Sequence, residues 1–174
     1  MSTTTKRIWQ CLRKWSPPAL DCFKINCDAN LQVMGWWSLE AIVRDATGLA
    51  MASASWRMKG SDDVKFAEAF ALYHSTDLAL ACGFKRVVFE VDIEQLVSLV
   101  QNDLIEDRSY LGQLLYEIQS LQTQFDTCSL TYIDRSCNGL THKMAQIAHS
   151  NPNNVWIEEV PFKANEVYIH EILH

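Results

Sequence analysis

Three carboxylates sit where their surroundings do not ask for one. Asp28 lies in Phe23-Lys24-Ile25-Asn26-Cys27-Asp28-Ala29, whose period of two is that of a strand with one apolar and one polar face. Aspartate is a poor strand former, so propensity does not account for it. Glu68 shares a helical face with Leu72, Ser75 and Ala79, the face that should pack on a sheet. Asp92 follows the apolar run Arg86-Val87-Val88-Phe89-Glu90-Val91, at the strand end where α/β sheets gather ligands. Taken singly, Glu68 reads as a boundary residue whose stem snorkels outward, and Asp92 as a helix N-cap. In one concavity the three would repel one another and raise each other's pKa unless divalent cations neutralised them. Partial shells of hard oxygens suit Mg²⁺, and two such ions can clamp the attacking and leaving oxygens of a phosphoryl transfer.

The elements that must position these acids are readable from periodicity. Strands around Phe23–Ala29, Trp36 to Val43 and Leu49 to Met58, the last two joined by the tight turn Asp45-Ala46-Thr47-Gly48, form an antiparallel meander. Of Trp36 and Trp37, alternation puts one in the core and one on the open face. Ser61-Asp62-Asp63 caps a helix from about Val64 to Ala81, stopped at Cys82-Gly83. The strand Arg86–Val91 follows, and a strand, helix, strand order implies parallel pairing. The first and fourth strands then lie side by side, so that Asp28 and Asp92 converge and Glu68 leans over the sheet.

Asp92, with Gln95 in a capping box, opens a short helix to about Val100. Leu111, Leu114, Leu115, Ile118 and Leu121 mark a helix from Tyr110 to Phe125, and Cys128 to Ile133 makes a last strand. A final helix from Asn138 to His149 carries Leu140, Met144, Ile147 and Ala148 on its apolar side. The expected fold class is α/β, with one five-stranded mixed sheet flanked by helices.

At 174 residues the chain suits one domain. Residues 1–20 read as an arm, with Ile8, Trp9, Leu12 and Trp15 at helical spacing and Ser16-Pro17-Pro18 at its end; residues 21–152 form the domain; residues 153–174 form a tail that packs on it. The net charge of −6 does not advertise a nucleic-acid binder, and Lys6, Arg7, Arg13 and Lys14 in the arm are the only close basic group. There is no membrane-spanning apolar run and no signal-peptide core, so an intracellular protein, nuclear or cytoplasmic and not secreted, is expected. Six cysteines without a C-x-x-C pair read as reduced core thiols.

Placed in order, these segments resemble a known family. Trp15-Ser16-Pro17-Pro18, Lys24-Ile25-Asn26-Cys27-Asp28-Ala29, Ile42-Val43-Arg44-Asp45-Ala46-Thr47-Gly48, Ala67-Glu68-Ala69 and Val88-Phe89-Glu90-Val91-Asp92 are similar to RNase H-like motifs, as are Arg135-Ser136-Cys137-Asn138 and Ala145. The resemblance is greatest to the plant type 1 ribonuclease H domains derived from non-LTR retrotransposons. It implies an RNase H-like fold and endonucleolytic hydrolysis of the RNA strand of an RNA/DNA hybrid with two Mg²⁺ ions. It further implies that Asp28 bridges both metals, that Glu68 holds one and orients the scissile phosphate, and that Asp92 binds from the second strand end. His142 stands where a fourth acid usually begins the last helix; as a softer, uncharged ligand it would weaken the second Mg²⁺ site or favour Mn²⁺. Asn26, Ala29, Asn30, Arg135 and Asn138 fall in the matching motifs as substrate contacts. The partner implied is a hybrid or another nucleic acid, met by a monomer.

Two further positions depart from the pattern. Ala29 and Glu40 stand where the family usually has glycine, and Glu40 would put a negative group near the phosphates. The competing reading is therefore a catalytically weak or inactive RNase H-like domain kept for nucleic-acid binding or protein interaction. A 3′–5′ exonuclease of the same superfamily is disfavoured, because its first strand should read Asp-x-Glu where this one reads Asp28-Ala29-Asn30.

Overall fold

In the computed structural model, residues 14–102, 107–148, 150 and 152–173 are described. Most of the N-terminal arm, with Lys6, Arg7, Ile8, Trp9, Leu12 and Arg13, lies outside them. The first three strands are β1 (Phe23–Asn30), β2 (Trp36–Arg44) and β3 (Ala50–Lys59). Helix α1 (Val64–Ala81) crosses to β4 (Arg86–Val91), followed by α2 (Glu94–Gln101), α3 (Tyr110–Gln122) and β5 (Thr127–Tyr132). A 3-10 turn, Arg135–Cys137, leads into α4 (Gly139–Ala148). The tail then supplies β6 (Asn154–Ile157) and α5 (Asn165–Leu173).

The sheet order is β5-β4-β1-β2-β3-β6, with β1 parallel to β4, β4 parallel to β5, and the other neighbours antiparallel. The sheet thus has six strands, not five. The sixth comes from the tail, whose four residues are too few to show a period by themselves but find unpaired backbone on the edge of β3. Nor is α4 the final helix, because α5 packs behind it.

Helix α1 begins where Asp63 accepts a hydrogen bond from the Phe66 N–H, and it ends in a Schellman turn. Gly83, at φ +78°, lets its own N–H reach Leu80 O and that of Phe84 reach Ala79 O. The odd-numbered residues of β1 and β2 meet this helix: Ile25, Cys27, Ala29, Trp37, Leu39, Ala41 and Val43 share a core with Ala67, Ala71 and Leu72. Gly60 is required beside them, since a Cβ there would stand 2.0 Å from the Trp37 indole.

The even-numbered face is not open. Lys24, Asn26, Asp28 and Asn30, and Ser38, Glu40 and Arg44 opposite, are all buried. Leu140 and Met144 of α4 form a second core with Ile42, Ala50, Val160 and Ala164 on that side. Alternation along β1 therefore separates two packed faces. The polar one is held by a network: Arg44 donates to Glu171 of α5 at 2.6 Å and to Asn26 Oδ1 at 2.9 Å, and lies 3.6 Å from the Trp15 ring centre. Lys24 pairs with Glu90 at 2.7 Å.

The five cysteines among the described residues are free thiols. Among the described residues no helix is long and apolar enough to cross a membrane.

Candidate metal centre

Asp28 enters the site two residues before the end of β1, and Glu68 from the second turn of α1. Asp92 follows the last residue of β4. It does not cap α2: the cap position is Ile93, with no side-chain hydrogen bond, and the proposed box with Gln95 is not formed. A cap geometry would turn the carboxylate toward the helix N–H groups; here the extra residue carries it past the strand end and leaves it half-buried.

One ligand oxygen from each of Asp28, Glu68 and Asp92 lies within 4.8 Å of the others. Asp28 and Glu68 are 1% and 3% exposed. The Ala29 N–H donates to Glu68 Oε1 at 3.3 Å, while among the described residues no donor group reaches the buried Glu68 Oε2. Burial, then the negative Asp28 and Asp92, hold the Glu68 carboxyl well above the usual glutamate range against that hydrogen bond. Burial and Asp28 also raise Asp92, opposed by the positive Arg135 and by His142. Three converging hard oxygens with one orphaned lone-pair set fit a hard divalent cation.

His142, from the first turn of α4, places Nδ1 3.1 Å from Asp28 Oδ2. Arg135 Nη2 lies 3.3 Å from the same nitrogen, and Gln146 Nε2 lies 3.4 Å from His142 Nε2. His142 thus touches Asp28 without joining the tight group of three. An open cleft of about 360 Å³ spreads over the acids, lined by Ala29, Asn30, Gln32, Arg135 and His142 as well as Glu68 and Asp92.

Asn26 and Asn138 stand elsewhere. Asn26 is fully buried, accepting from Trp15 Nε1 at 2.9 Å and donating to Glu90 at 2.8 Å. Asn138, 1% exposed, donates to Cys27 O at 3.1 Å and ties α4 to β1. Glu40 is sealed inside the sheet and not open to the cleft: it pairs directly with Asp28 across β1 and β2, is 0% exposed, and among the described residues neither carboxylate oxygen has a partner. Burial first, and the negative Asp28 second, push its carboxyl well above the usual range. Leu31, Gln32, Val64 and Ile93 line the cleft and carried no sequence signal, because each belongs to a connection or a helix start whose course depends on the rest of the fold.

The strand order and the acid cluster define an RNase H-like fold with a candidate metal-binding triad. A protein-family model described as reverse transcriptase-like matches residues 26–148, more than half of the chain, and the chain belongs to that family. RNase H1 from the archaeon Halobacterium salinarum is similar in structure at a TM-score of 0.63 and 20% identity, over 75% of this chain and 98% of that one. The N-terminal RNase H domain of a Mycobacterium tuberculosis protein gives 0.65 and 19%, over 74% and 94%. LC11-RNase H1 in complex with an RNA/DNA hybrid gives 0.56 and 17%, over 65% and 86%. No curated protein sequence matches the chain.

Proposed function

We propose that the chain is an RNase H-type endonuclease that hydrolyses the RNA strand of RNA/DNA hybrids with divalent cations. The observation that carries this reading is the convergence of Asp28, Glu68 and Asp92 within 4.8 Å, from three elements far apart in sequence. Hydrolysis joins a water oxygen to phosphorus as the bridging P–O bond of the RNA breaks. Asp28, Glu68 and Asp92 would hold Mg²⁺ or Mn²⁺, which when bound supplies charge neutralisation at the phosphate and a more acidic water. His142, against Asp28, adds an imidazole in place of a fourth acid, a donor that suits Mn²⁺ better than Mg²⁺.

The chain's own groups supply positioning. The Ala29 N–H fixes the Glu68 carboxylate at the end of β1, and Asn138 anchors the start of α4 to the same strand. Arg135 faces the cleft as a cation able to meet a non-bridging phosphate oxygen. The order of motifs from Trp15 to Ala145 supports placing the chain with plant, retrotransposon-derived domains of this class.

One observation favours the second reading, a weak or inactive nucleic-acid-binding descendant. Glu40 sets a further, fully buried acid directly against Asp28, which opposes charging of the site in the absence of cations. Cleavage of a labelled RNA/DNA hybrid in Mg²⁺ and in Mn²⁺, with Asp28→Asn as control, separates the two. Cleavage by the wild type alone supports the enzyme; no cleavage in either metal by the folded protein leaves only the binding module.

A further inference from the structure

A second cationic feature stands at the same end of the sheet as the carboxylates. Trp36 opens β2 and Lys59, its direct partner, closes β3; Arg57 is opposite Ser38, one step inward on the same sheet face. That face is covered by α4 further along, over Ile42; at the edge β6 pairs with Ala52 to Ser55, and Asn153 Oδ1 accepts from the Arg57 N–H at 3.1 Å. Trp36 and Arg57 are half-exposed, and Lys59 is exposed.

The Arg57 guanidinium lies 4.6 Å from the Trp36 ring centre, and Lys59 Nζ lies 5.9 Å from it. Among the described residues neither cation has a carboxylate partner, and Arg57 Nε has no acceptor. Two uncompensated cations on one indole are conspicuous in a chain of net charge −6. An indole under a guanidinium fixes its plane, which lowers the entropy lost when it grips an oxyanion.

The ledge is continuous with the cleft. Asn30, the last residue of β1, and Leu31 and Gln32 of the hairpin connection that leads to Trp36 all line the cleft. Asn30 pairs with Ser38, so Trp36 lies two residues beyond that pair. On ideal sheet spacing Trp36 is about 14 Å from Asp28, roughly four nucleotide steps at a rise of about 3.4 Å along one strand.

Resting on the function proposed above, we propose that Arg57 and Lys59, ordered by Trp36, form a docking ledge for the sugar–phosphate backbone of one strand of the nucleic acid that crosses the carboxylate cleft. Phosphates match the two free cations, whereas an acidic cleft alone would repel the substrate. Arg57 and Lys59 touch the strand; Trp36 is a positioning residue.

The test is fluorescence anisotropy of a labelled RNA/DNA hybrid with the full chain in Ca²⁺ buffer, across a salt series, with thermal melts to verify folding. Arg57→Gln with Lys59→Gln is expected to weaken binding by about 10-fold or more. It should also flatten the slope of log K against log[salt] by about 1.4 to 1.8, the value for two lost phosphate contacts. Trp36→Leu should weaken binding about 5-fold, and Trp36→Phe should restore it, a split that a merely structural role would not produce. Wild-type binding with unchanged affinity and salt slope in the folded variants overturns the ledge and leaves the proposed function standing. Absence of hybrid binding by the wild type overturns both.

Discussion

Asp28 and Glu40 face each other as a cross-strand pair, 1% and 0% exposed. Among the described residues neither Glu40 oxygen has a partner, so two acids share a packed layer at a desolvation cost. Its consequences for stability and for metal response can be measured separately.

Glu40→Gln removes a titrating acid without changing its volume. The raised carboxyl of Glu40 keeps its proton in the folded state after the unfolded chain has lost it. The unfolded state then binds fewer protons, so stability is full below the unfolded pKa and falls as pH rises through the folded one. The raised Glu68 and Asp92 act with the same sign. Urea unfolding of wild type from pH 4 to pH 8 should therefore show declining stability, and the Glu40→Gln decline should be shallower. At pH 7 the variant should be the more stable of the two.

Divalent cations should reverse part of that decline. Mg²⁺ or Mn²⁺ at ten times its Kd should add about 1.4 kcal/mol, a rise in Tm of roughly 3–6 °C for a domain of this size. Asp28→Asn should abolish the shift in calorimetry. An undiminished shift in that variant would place the ion elsewhere.

Asp28→Asn should also separate function from stability. Loss of a ligand should cost at least about 100-fold in hybrid cleavage, since even outer partners of a metal site cost 10–100-fold. Without metal, relief of repulsion among Asp28, Glu40, Glu68 and Asp92 should make the variant as stable as wild type or more so. A destabilised variant would point to a structural role for the Asp28 carboxylate.

His142→Asp restores an acid beside Asp28. Cleavage should shift toward Mg²⁺, with a Mg²⁺ to Mn²⁺ rate ratio raised about 10-fold, because a charged oxygen suits Mg²⁺ better than imidazole does. An unchanged ratio would remove His142 from the metal's surroundings.

Glu171→Ala strands a buried cation. Arg44 is 1% exposed, and burial already lowers its pKa, with Glu171 the main opposing influence. Removing the partner should cost ~3–5 kcal/mol in urea unfolding while leaving metal binding intact. A cost below about 1 kcal/mol would mean that Asn26 and the Trp15 ring hold Arg44 by themselves.

Local periodicity and caps were legible without coordinates. The bounds of α1 and β4, the three strands of the meander and the turn at Asp45–Gly48 follow from patterns no longer than one element, and the order Asp28, Glu68, Asp92 is read directly from the chain. The division of labour between Trp37, packed on Phe66 and Phe70, and the half-exposed Trp36 follows from strand alternation. What alternation could not say is how much of the polar face is covered. That depends on α4 and α5, which reach β1 and β2 from more than 90 residues away in sequence, as the bonds Asn138 to Cys27 and Glu171 to Arg44 show.

The same distinction separates the acids. Their types and order were determined by the sequence; the 4.8 Å convergence, the failure of Asp92 to act as a cap and the sealing of Glu40 were decided by tertiary structure. A residue's type and its neighbours set which backbone it favours. Its charge state and its partners are set by groups that only long-range packing brings within reach, because electrostatic and desolvation energies depend on distance in space and not on separation along the chain.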